Sequence, residues 1–309
     1  MKTAFLFPGQ GSQQVGMGKD VAANYRVSRD VFTHADDLLG MKLSQICFEG
    51  SEDLLNATEN TQPALYVTSF AILSALQTEM MITPDCVAGH SLGEFTALAL
   101  AGVFSFEEGL KLVRERGRLM KEAGEKQPGG MAALLGLDAA PVRELCERAS
   151  KQVGKQVVVA NDNCPGQVVI SGDNEALETA MALATESGAK RVVRLAVSIA
   201  AHSPLMATAS DSFKQLVGQI TLSPPKLPVY ANVSAKPLAN VDSIREELNR
   251  QLTQEVRWTE TMQAMVADGV ERFIEIGSGD VLSGLVKRID RSKTRISLNS
   301  ADTIKAFVG

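Results

Sequence analysis

The chain has 309 residues, and 36 acidic against 31 basic side chains give it a formal net charge of −5. Its 45% hydrophobic and 22% charged residues are typical of a folded protein with a substantial core, which argues against a disordered chain. The acidic balance argues against a general nucleic-acid-binding protein, and no apolar run approaches the ~18 residues of a membrane-spanning helix.

The first third of the chain predicts strands and helices in alternation. In chain order we predict a strand before Pro8-Gly9, a helix over 64–80 with Pro63 in its first turn, a strand over 86–88 and a helix over 94–101. The apolar stretch before Pro8 is too short for a signal peptide. Only Gly89-His90-Ser91-Leu92-Gly93 separates the last two elements, so a strand, a tight glycine turn and a helix follow one another directly.

The middle of the chain has a different order of elements. After a breaker cluster at 127–130 we predict a strand over 131–135, a helix over 140–150, strands over 157–160 and 168–171, a helix over 175–186 and a strand over 191–197. This βαββαβ order is typical of a ferredoxin-like unit. Further strands are predicted near 229–232, 272–276 and 295–298, with helices between them.

Together these patterns predict an α/β fold with a mostly parallel, doubly wound sheet. We assign residues 1–126 and 198–309 to one discontinuous domain, and residues 127–197 to a ferredoxin-like subdomain inserted into it. The length of the chain fits this division, since a domain averages about 150 residues.

The four cysteines predict neither a disulfide framework nor a metal site. Cys47, Cys86, Cys146 and Cys164 lack the CxxC spacing of zinc ligands. We therefore expect reduced thiols in a cytoplasmic protein.

The turn around Ser91 has the G-x-S-x-G pattern of a nucleophile elbow. Glycines permit a sharp turn that lifts the serine hydroxyl out of the sheet, and the backbone N–H of Leu92 would then face a developing oxyanion. The pattern is weak alone, but a preceding strand and a following helix favour a nucleophilic Ser91 over a merely structural glycine turn.

A serine nucleophile needs a base, and the chain offers only three histidines. We expect His90 to pack locally with its side chain turned away from the Ser91 hydroxyl, and His34 to lie on the solvated surface beside acidic residues. His202 follows the last strand of the predicted insert and is the best candidate base. No carboxylate stands out as a third member, so either a carboxylate or a backbone carbonyl could orient His202.

Other stretches give weaker signals. Gly9-x-Gly11 has Gln14 where a dinucleotide-binding loop needs its third glycine, and Gly277-Ser278-Gly279 is expected to be a turn at the carboxyl edge of the sheet. Arginines 114, 116 and 118 are typical of a solvated helix face. A basic cluster over 287–295 is usually surface too, although it could steer an acidic partner.

Taken together, the motifs resemble the malonyl-CoA:acyl carrier protein transacylase family. The resemblance runs through the whole chain, and the matching segments are 7–13 (FPGQGSQ), 89–94 (GHSLGE), 201–202 (AH), 230–233 (YANV), 251–252 (QL), 256–258 (VRW) and 275–277 (EIG). It implies a large α/β-hydrolase-like domain with an inserted ferredoxin-like subdomain, in agreement with the pattern of elements.

The resemblance also implies a role for each of ten residues. They are Ser91 as nucleophile, His202 as base, Gln251 as the residue whose main-chain carbonyl orients the histidine, Gln10 and Leu92 as N–H donors of the oxyanion hole, Arg116 as partner of the malonyl carboxylate, Ala201 and Asn161 beside the acyl group, and Lys287 and Arg288 near the approach of the carrier protein. Ala201 is small, which leaves room in the acyl pocket.

The implied activity is ping-pong transfer of malonyl from coenzyme A to an acyl carrier protein. Arginine suits this substrate because it binds carboxylate bidentately. We expect no metal and no cofactor beyond the phosphopantetheine arms of the two substrates, no nucleic-acid or membrane partner, and a monomer.

Two other classes of function remain open on the residues alone. A serine esterase or thioesterase would use the same elbow, and a scaffold subunit would need no chemistry, although an intact Ser91–His202 pair disfavours it. Fatty acid synthesis, polyketide synthesis and malonate decarboxylation could each use the same malonyl loading.

Overall fold

The computed structural model describes all residues, 1–309, and contains two β-sheets with helices packed around them. The strands are β1 Lys2–Phe7, β2 Cys86–Gly89, β3 Gly129–Leu135, β4 Val157–Cys164, β5 Gln167–Asp173, β6 Arg191–Arg194, β7 Val229–Tyr230, β8 Pro237–Leu238, β9 Val270–Ile276 and β10 Thr294–Leu298.

The helices connect and follow these strands. They are α1 Lys19–Asn24, α2 Arg26–Leu39, α3 Leu43–Glu49, α4 Glu52–Asn56, α5 Thr58–Glu79, α6 Gly93–Leu100, α7 Phe106–Lys126, α8 Ala139–Val153, α9 Asn174–Glu186, α10 Ala207–Gln219, α11 Val241–Arg250, α12 Trp258–Ala267, α13 Val281–Ile289 and α14 Ala301–Val308. No helix is both long enough and apolar enough to cross a membrane.

The larger sheet has the strand order β10-β9-β1-β2-β7-β8, and only the short β7–β8 pair is antiparallel. Along β1, Phe5 and Phe7 enter one hydrophobic cluster while Ala4 and Leu6 enter another. Both faces of the sheet are therefore covered, as a parallel sheet requires. The predicted mixed α/β fold with a mostly parallel sheet is confirmed.

The smaller sheet is antiparallel, has the order β4-β5-β3-β6, and lies within the predicted insert. Its elements follow the predicted βαββαβ order, and α8 and α9 share a separate hydrophobic cluster with it. The last strand ends at Arg194, three residues before the predicted end. Residues 195–197 line a cleft between the two sheets, and the Leu195 N–H still donates to the Met131 carbonyl of β3 at 2.9 Å.

The prediction that Pro63 lies in the first turn of its helix is wrong, because α5 begins at Thr58 and contains Pro63 inside it. Proline has no N–H to donate to the carbonyl four residues earlier, which belongs to Glu59. Arg114 of α7 donates to that carbonyl instead, at 2.5 Å. The tertiary hydrogen bond replaces the missing helical one and lets the helix continue.

Candidate active site

Ser91 lies in a tight turn where the carboxyl ends of β1 and β2 meet. Phe7 pairs with Gly89 in register, and the His90 N–H donates to the Phe7 carbonyl at 3.0 Å. A side chain at Gly93 would place its Cβ 2.0 Å from the Phe7 carbonyl oxygen, so this close approach requires glycine. Ser91 itself has a φ of +50°, a strained conformation that holds its hydroxyl out of the sheet.

The side chain of Asn232, just after β7, fixes this turn from both sides. Its Oδ1 accepts from the Ser91 N–H at 2.7 Å, and its Nδ2 donates to the Gly89 carbonyl at 2.8 Å. Asn232 is fully buried. In the sequence, Asn232 is part of the matching segment 230–233 but has no assigned role. Only the pairing of β2 with β7 brings Asn232 to the turn around Ser91.

His202 is placed as a base for Ser91. Its Nε2 lies 2.8 Å from the Ser91 Oγ, and its Nδ1 lies 2.8 Å from the Gln251 carbonyl oxygen and 3.2 Å from that of Gln254. A carbonyl can only accept, so Nδ1 carries the proton and Nε2 is free to accept one from the serine. A backbone carbonyl, with no carboxylate, therefore occupies the third position left open by the sequence.

The environment keeps His202 neutral. Burial, together with the nearby positive charge of Arg116, lowers the pKa of His202 to about 3. A neutral imidazole at physiological pH can act as a general base without first losing a proton.

The other two histidines lie where the sequence predicts. His90 is turned away from the Ser91 hydroxyl; its Nε2 is 2.8 Å from Asn163 Oδ1, and its ring packs against Trp258. Burial lowers the pKa of His90. His34 is exposed and lies 2.8 Å from Glu107. Neither side chain forms a hydrogen bond with Ser91.

Arg116 is almost completely buried, at 1% exposure, so the prediction of a solvated arginine face fails for this residue. Arg118, two residues later, does lie at the surface and pairs with Glu115 and Glu122. The α7 helix turns Arg116 toward α5 and the cleft, which a pattern of alternating arginines could not reveal.

The Arg116 guanidinium is held by two glutamines and touches the nucleophile. Nε and Nη2 donate to Gln251 Oε1 at 3.2 and 2.9 Å, Nη1 donates to Gln62 Oε1 at 2.9 Å, and Nη2 donates to Ser91 Oγ at 3.2 Å. Burial lowers the pKa of Arg116 to about 10, while the charge of Glu94 opposes that shift. The group therefore stays cationic at neutral pH.

Glu94 is fully buried beneath the elbow, three residues after Ser91. Its Oε1 accepts from the Asn232 N–H at 2.9 Å and its Oε2 accepts from Gln251 Nε2 at 2.5 Å. Burial and the neighbouring carboxyl of Glu247 raise the pKa of Glu94 well above its ordinary value. Sequence reasoning missed Glu94 and Gln62, since their partners lie far away in the chain.

Two backbone N–H groups beside the nucleophile are available to an incoming ligand. Neither the Gln10 N–H, in the turn after β1, nor the Leu92 N–H, at the start of α6, donates a hydrogen bond within the protein. Free donors flanking a nucleophile are the requirement for an oxyanion hole.

The site opens into a cleft of about 410 Å³ between the two sheets. Asn161 and Ala201 both line it, with Met120, Met131 and Ile199 as apolar neighbours. Arg116, Ser91 and His202 also line it, so these polar groups converge in a cleft that has apolar side chains as well. This combination is typical of a substrate site.

Lys287 and Arg288 lie in the last turn of α13, whose first residues also line the cleft. Both are exposed. Arg288 Nη1 donates to Gln167 Oε1 of β5 at 2.7 Å, so this arginine links α13 to the smaller sheet. Lys287 has no such partner and is the freer positive charge.

Comparisons with known proteins agree with this geometry. Residues 4–301 match the family described as the acyl transferase domain. The malonyl CoA-acyl carrier protein transacylase of Bacillus subtilis is 44% identical over 307 residues, which cover 99% of this chain and 96% of that protein.

Solved structures give the same result. The malonyl CoA-acyl carrier protein transacylase of Coxiella burnetii superposes with a TM-score of 0.96 and 37% identity, over 100% of this chain and 97% of that one. A malonyl transacylase solved in complex with its type II polyketide synthase acyl carrier protein has a TM-score of 0.96 and 40% identity, over 100% of this chain and 99% of that one.

Proposed function

The chain belongs to the acyl transferase family, and from this membership we propose that it moves a malonyl group from malonyl-CoA to the phosphopantetheine thiol of an acyl carrier protein. The observation that carries the proposal is the buried Arg116 guanidinium, whose Nη2 lies 3.2 Å from the Ser91 Oγ. A cation at that distance from the nucleophile suits an acyl group that ends in a carboxylate.

The first half-reaction forms an acyl-enzyme. Ser91 Oγ attacks the thioester carbonyl carbon while its proton passes to His202 Nε2, which is 2.8 Å away. The N–H groups of Gln10 and Leu92 stabilise the negative oxygen of the tetrahedral intermediate. The C–S bond then breaks, and the coenzyme A sulfur leaves with the proton that His202 had accepted.

The second half-reaction reverses these steps with a different thiol. The phosphopantetheine thiol gives its proton to His202 as its sulfur attacks the malonyl ester, and the serine oxygen takes that proton back when the C–O bond breaks. The Nδ1–H of His202 stays bonded to the Gln251 carbonyl throughout while Nε2 takes up and releases the proton, so one histidine serves as base and then as acid.

Arg116 selects the acyl group by charge. The malonyl carboxylate takes Nη2 away from the Ser91 hydroxyl and also reaches Nη1, while Gln62 and Gln251 keep the guanidinium in place. A planar guanidinium offers two parallel N–H groups to a carboxylate. An acetyl group has no atom that could use this interaction.

The chemistry requires no metal and no redox cofactor, because the thioester is already activated and the substrates bring their own phosphopantetheine arms. We propose an acidic acyl carrier protein as macromolecular partner, approaching near Lys287. We also propose that the protein acts as a monomer in the cytoplasm.

The test follows both products of the reaction. The protein is incubated with malonyl-CoA alone, and separately with malonyl-CoA and acyl carrier protein that carries its phosphopantetheine arm. We expect malonyl-carrier protein to form much faster than free malonate. Rapid release of malonate with no carrier product would instead identify a thioesterase and contradict the proposal.

A further inference from the structure

The side-chain amide of Gln251 has one orientation that suits all its neighbours. Arg116 can only donate, and it donates twice to Gln251 Oε1. Gln251 Nε2 lies opposite two acceptors, the Ser91 carbonyl oxygen at 2.9 Å and Glu94 Oε2 at 2.5 Å. An amide turned by 180° would place N–H groups against the arginine and an oxygen against two oxygens.

Glu94 is the side chain that fixes this orientation together with the Arg116 donors and the Ser91 carbonyl. Its other oxygen accepts from the backbone N–H of Asn232, which cannot turn round, so the carboxyl must present an acceptor on that side too. Because the Asn232 backbone and the Gln251 amide both present N–H donors to Glu94, these two contacts demand two acceptor oxygens. A glutamate side chain has both oxygens available for them, and a glutamine has one oxygen only.

We infer that Glu94 is a positioning residue for substrate selection, acting through the Gln251 amide to hold Arg116 in its carboxylate-binding position. The contacts form one chain, from Glu94 to Gln251 and from Gln251 to Arg116, all buried. Buried hydrogen bonds of this kind are costly to leave unsatisfied. The inference rests on the proposed malonyl transfer and assigns a further residue to its selectivity.

Glu94→Gln separates this role from simple support of the fold. The new amide must give its oxygen to the Asn232 N–H, so its NH2 group faces Gln251. The Gln251 NH2 group then faces a donor in place of an acceptor, which displaces the amide that supplies two of the four hydrogen bonds of Arg116. We expect the ratio of malonyl-CoA to acetyl-CoA acylation rates to fall about tenfold or more, with acetyl acylation changing much less.

Glu275→Gln is the matched control. Glu275 is also a buried carboxyl that accepts from two backbone N–H groups, those of Leu282 and Ser283 at 2.9 and 2.7 Å, but it has no hydrogen bond to Glu94, Gln251 or Arg116. We expect it to leave the malonyl-to-acetyl ratio unchanged, whatever it does to stability. An equal fall of the ratio in both variants would overturn the inference, as would a Glu94→Gln variant whose ratio is unchanged.

If Glu94→Gln does not fold, Gln251→Met carries the same test. This variant keeps the backbone carbonyl that binds His202 and removes only the amide, so its malonyl-to-acetyl ratio should also fall about tenfold. An unchanged ratio would overturn the inference.

Malonyl acylation by the unchanged protein is measured first. If this acylation is absent, the proposed function fails. If it is normal and the variants keep an unaltered malonyl-to-acetyl ratio, only the role of Glu94 is refuted.

Discussion

Replacing Arg116 with Ala should convert a malonyl-selective site into one that no longer recognises the acyl charge. Malonyl differs from acetyl by one carboxylate, and Arg116 is the buried cation that touches the nucleophile. Truncating one partner of a buried charge pair costs about 2–5 kcal/mol, which is about 30-fold to a few thousand-fold in rate.

Part of that cost comes from the protein itself. Without Arg116, the side-chain oxygens of Gln251 and Gln62 lose their donors in a buried setting. This share of the cost lowers the stability of the protein whichever acyl group is present, so the ratio between substrates, and not the absolute rate, measures the charge recognition. Arg116→Lys should recover only part of the ratio, since an ammonium lacks the planar pair of donors.

The assay measures acylation by malonyl-CoA and acetyl-CoA side by side for the unchanged protein, Arg116→Ala and Arg116→Lys. Arg118→Ala is the control, because Arg118 is on the same helix but lies at the surface. We expect malonyl acylation to fall steeply while acetyl acylation is retained or improved. A fall by the same factor for both substrates would mean that Arg116 is structural, and the reasoning would be refuted.

Three further predictions concern the base, its titration and the carrier protein. His202→Ala should lower the acylation rate by about 100-fold or more. His90→Ala should lower it far less, because the His90 side chain bonds to Asn163 and not to Ser91. The opposite order would make His90 the base. Because the pKa of His202 is lowered to about 3, His202 stays neutral as the pH falls through 6.5, so kcat/KM for malonyl-CoA should stay level there and decline only at lower pH; a decline centred near pH 6.5 would contradict this. Lys287→Glu should slow transfer to the carrier protein and weaken its salt dependence, while malonyl-CoA acylation changes less. Arg288→Glu should slow the transfer further, because it also breaks the hydrogen bond to Gln167. An equal loss of rate in both half-reactions would exclude a docking role.

The sequence predicts well those parts of the fold that depend on local pattern. The strand, glycine turn and helix around Ser91 are local, and so is the βαββαβ order of the smaller sheet. The predicted helix start near Pro63 is wrong because Arg114 of α7 donates the hydrogen bond to the Glu59 carbonyl that the proline cannot donate. Local propensity carries no information about such a distant partner.

The site shows the same division between local and distant signals. Ser91 is found from its motif, and His202 by elimination among three histidines. A backbone carbonyl as the partner of His202 leaves no trace in side-chain composition, and only the family resemblance pointed to Gln251. The burial of Arg116 and the role of Glu94 depend on how α5, α6 and α7 pack together, which periodicity does not determine.

The central claim is that malonyl passes through an ester on Ser91, and the mass of the intact protein tests it most directly. After brief exposure to malonyl-CoA, the protein should gain the mass of one malonyl group, and peptide mapping should place it on Ser91. The Ser91→Ala variant should gain nothing, and adding acyl carrier protein should remove the group from the unchanged protein. A malonyl adduct that persists in Ser91→Ala, or transfer to the carrier protein that proceeds without Ser91, would contradict the account.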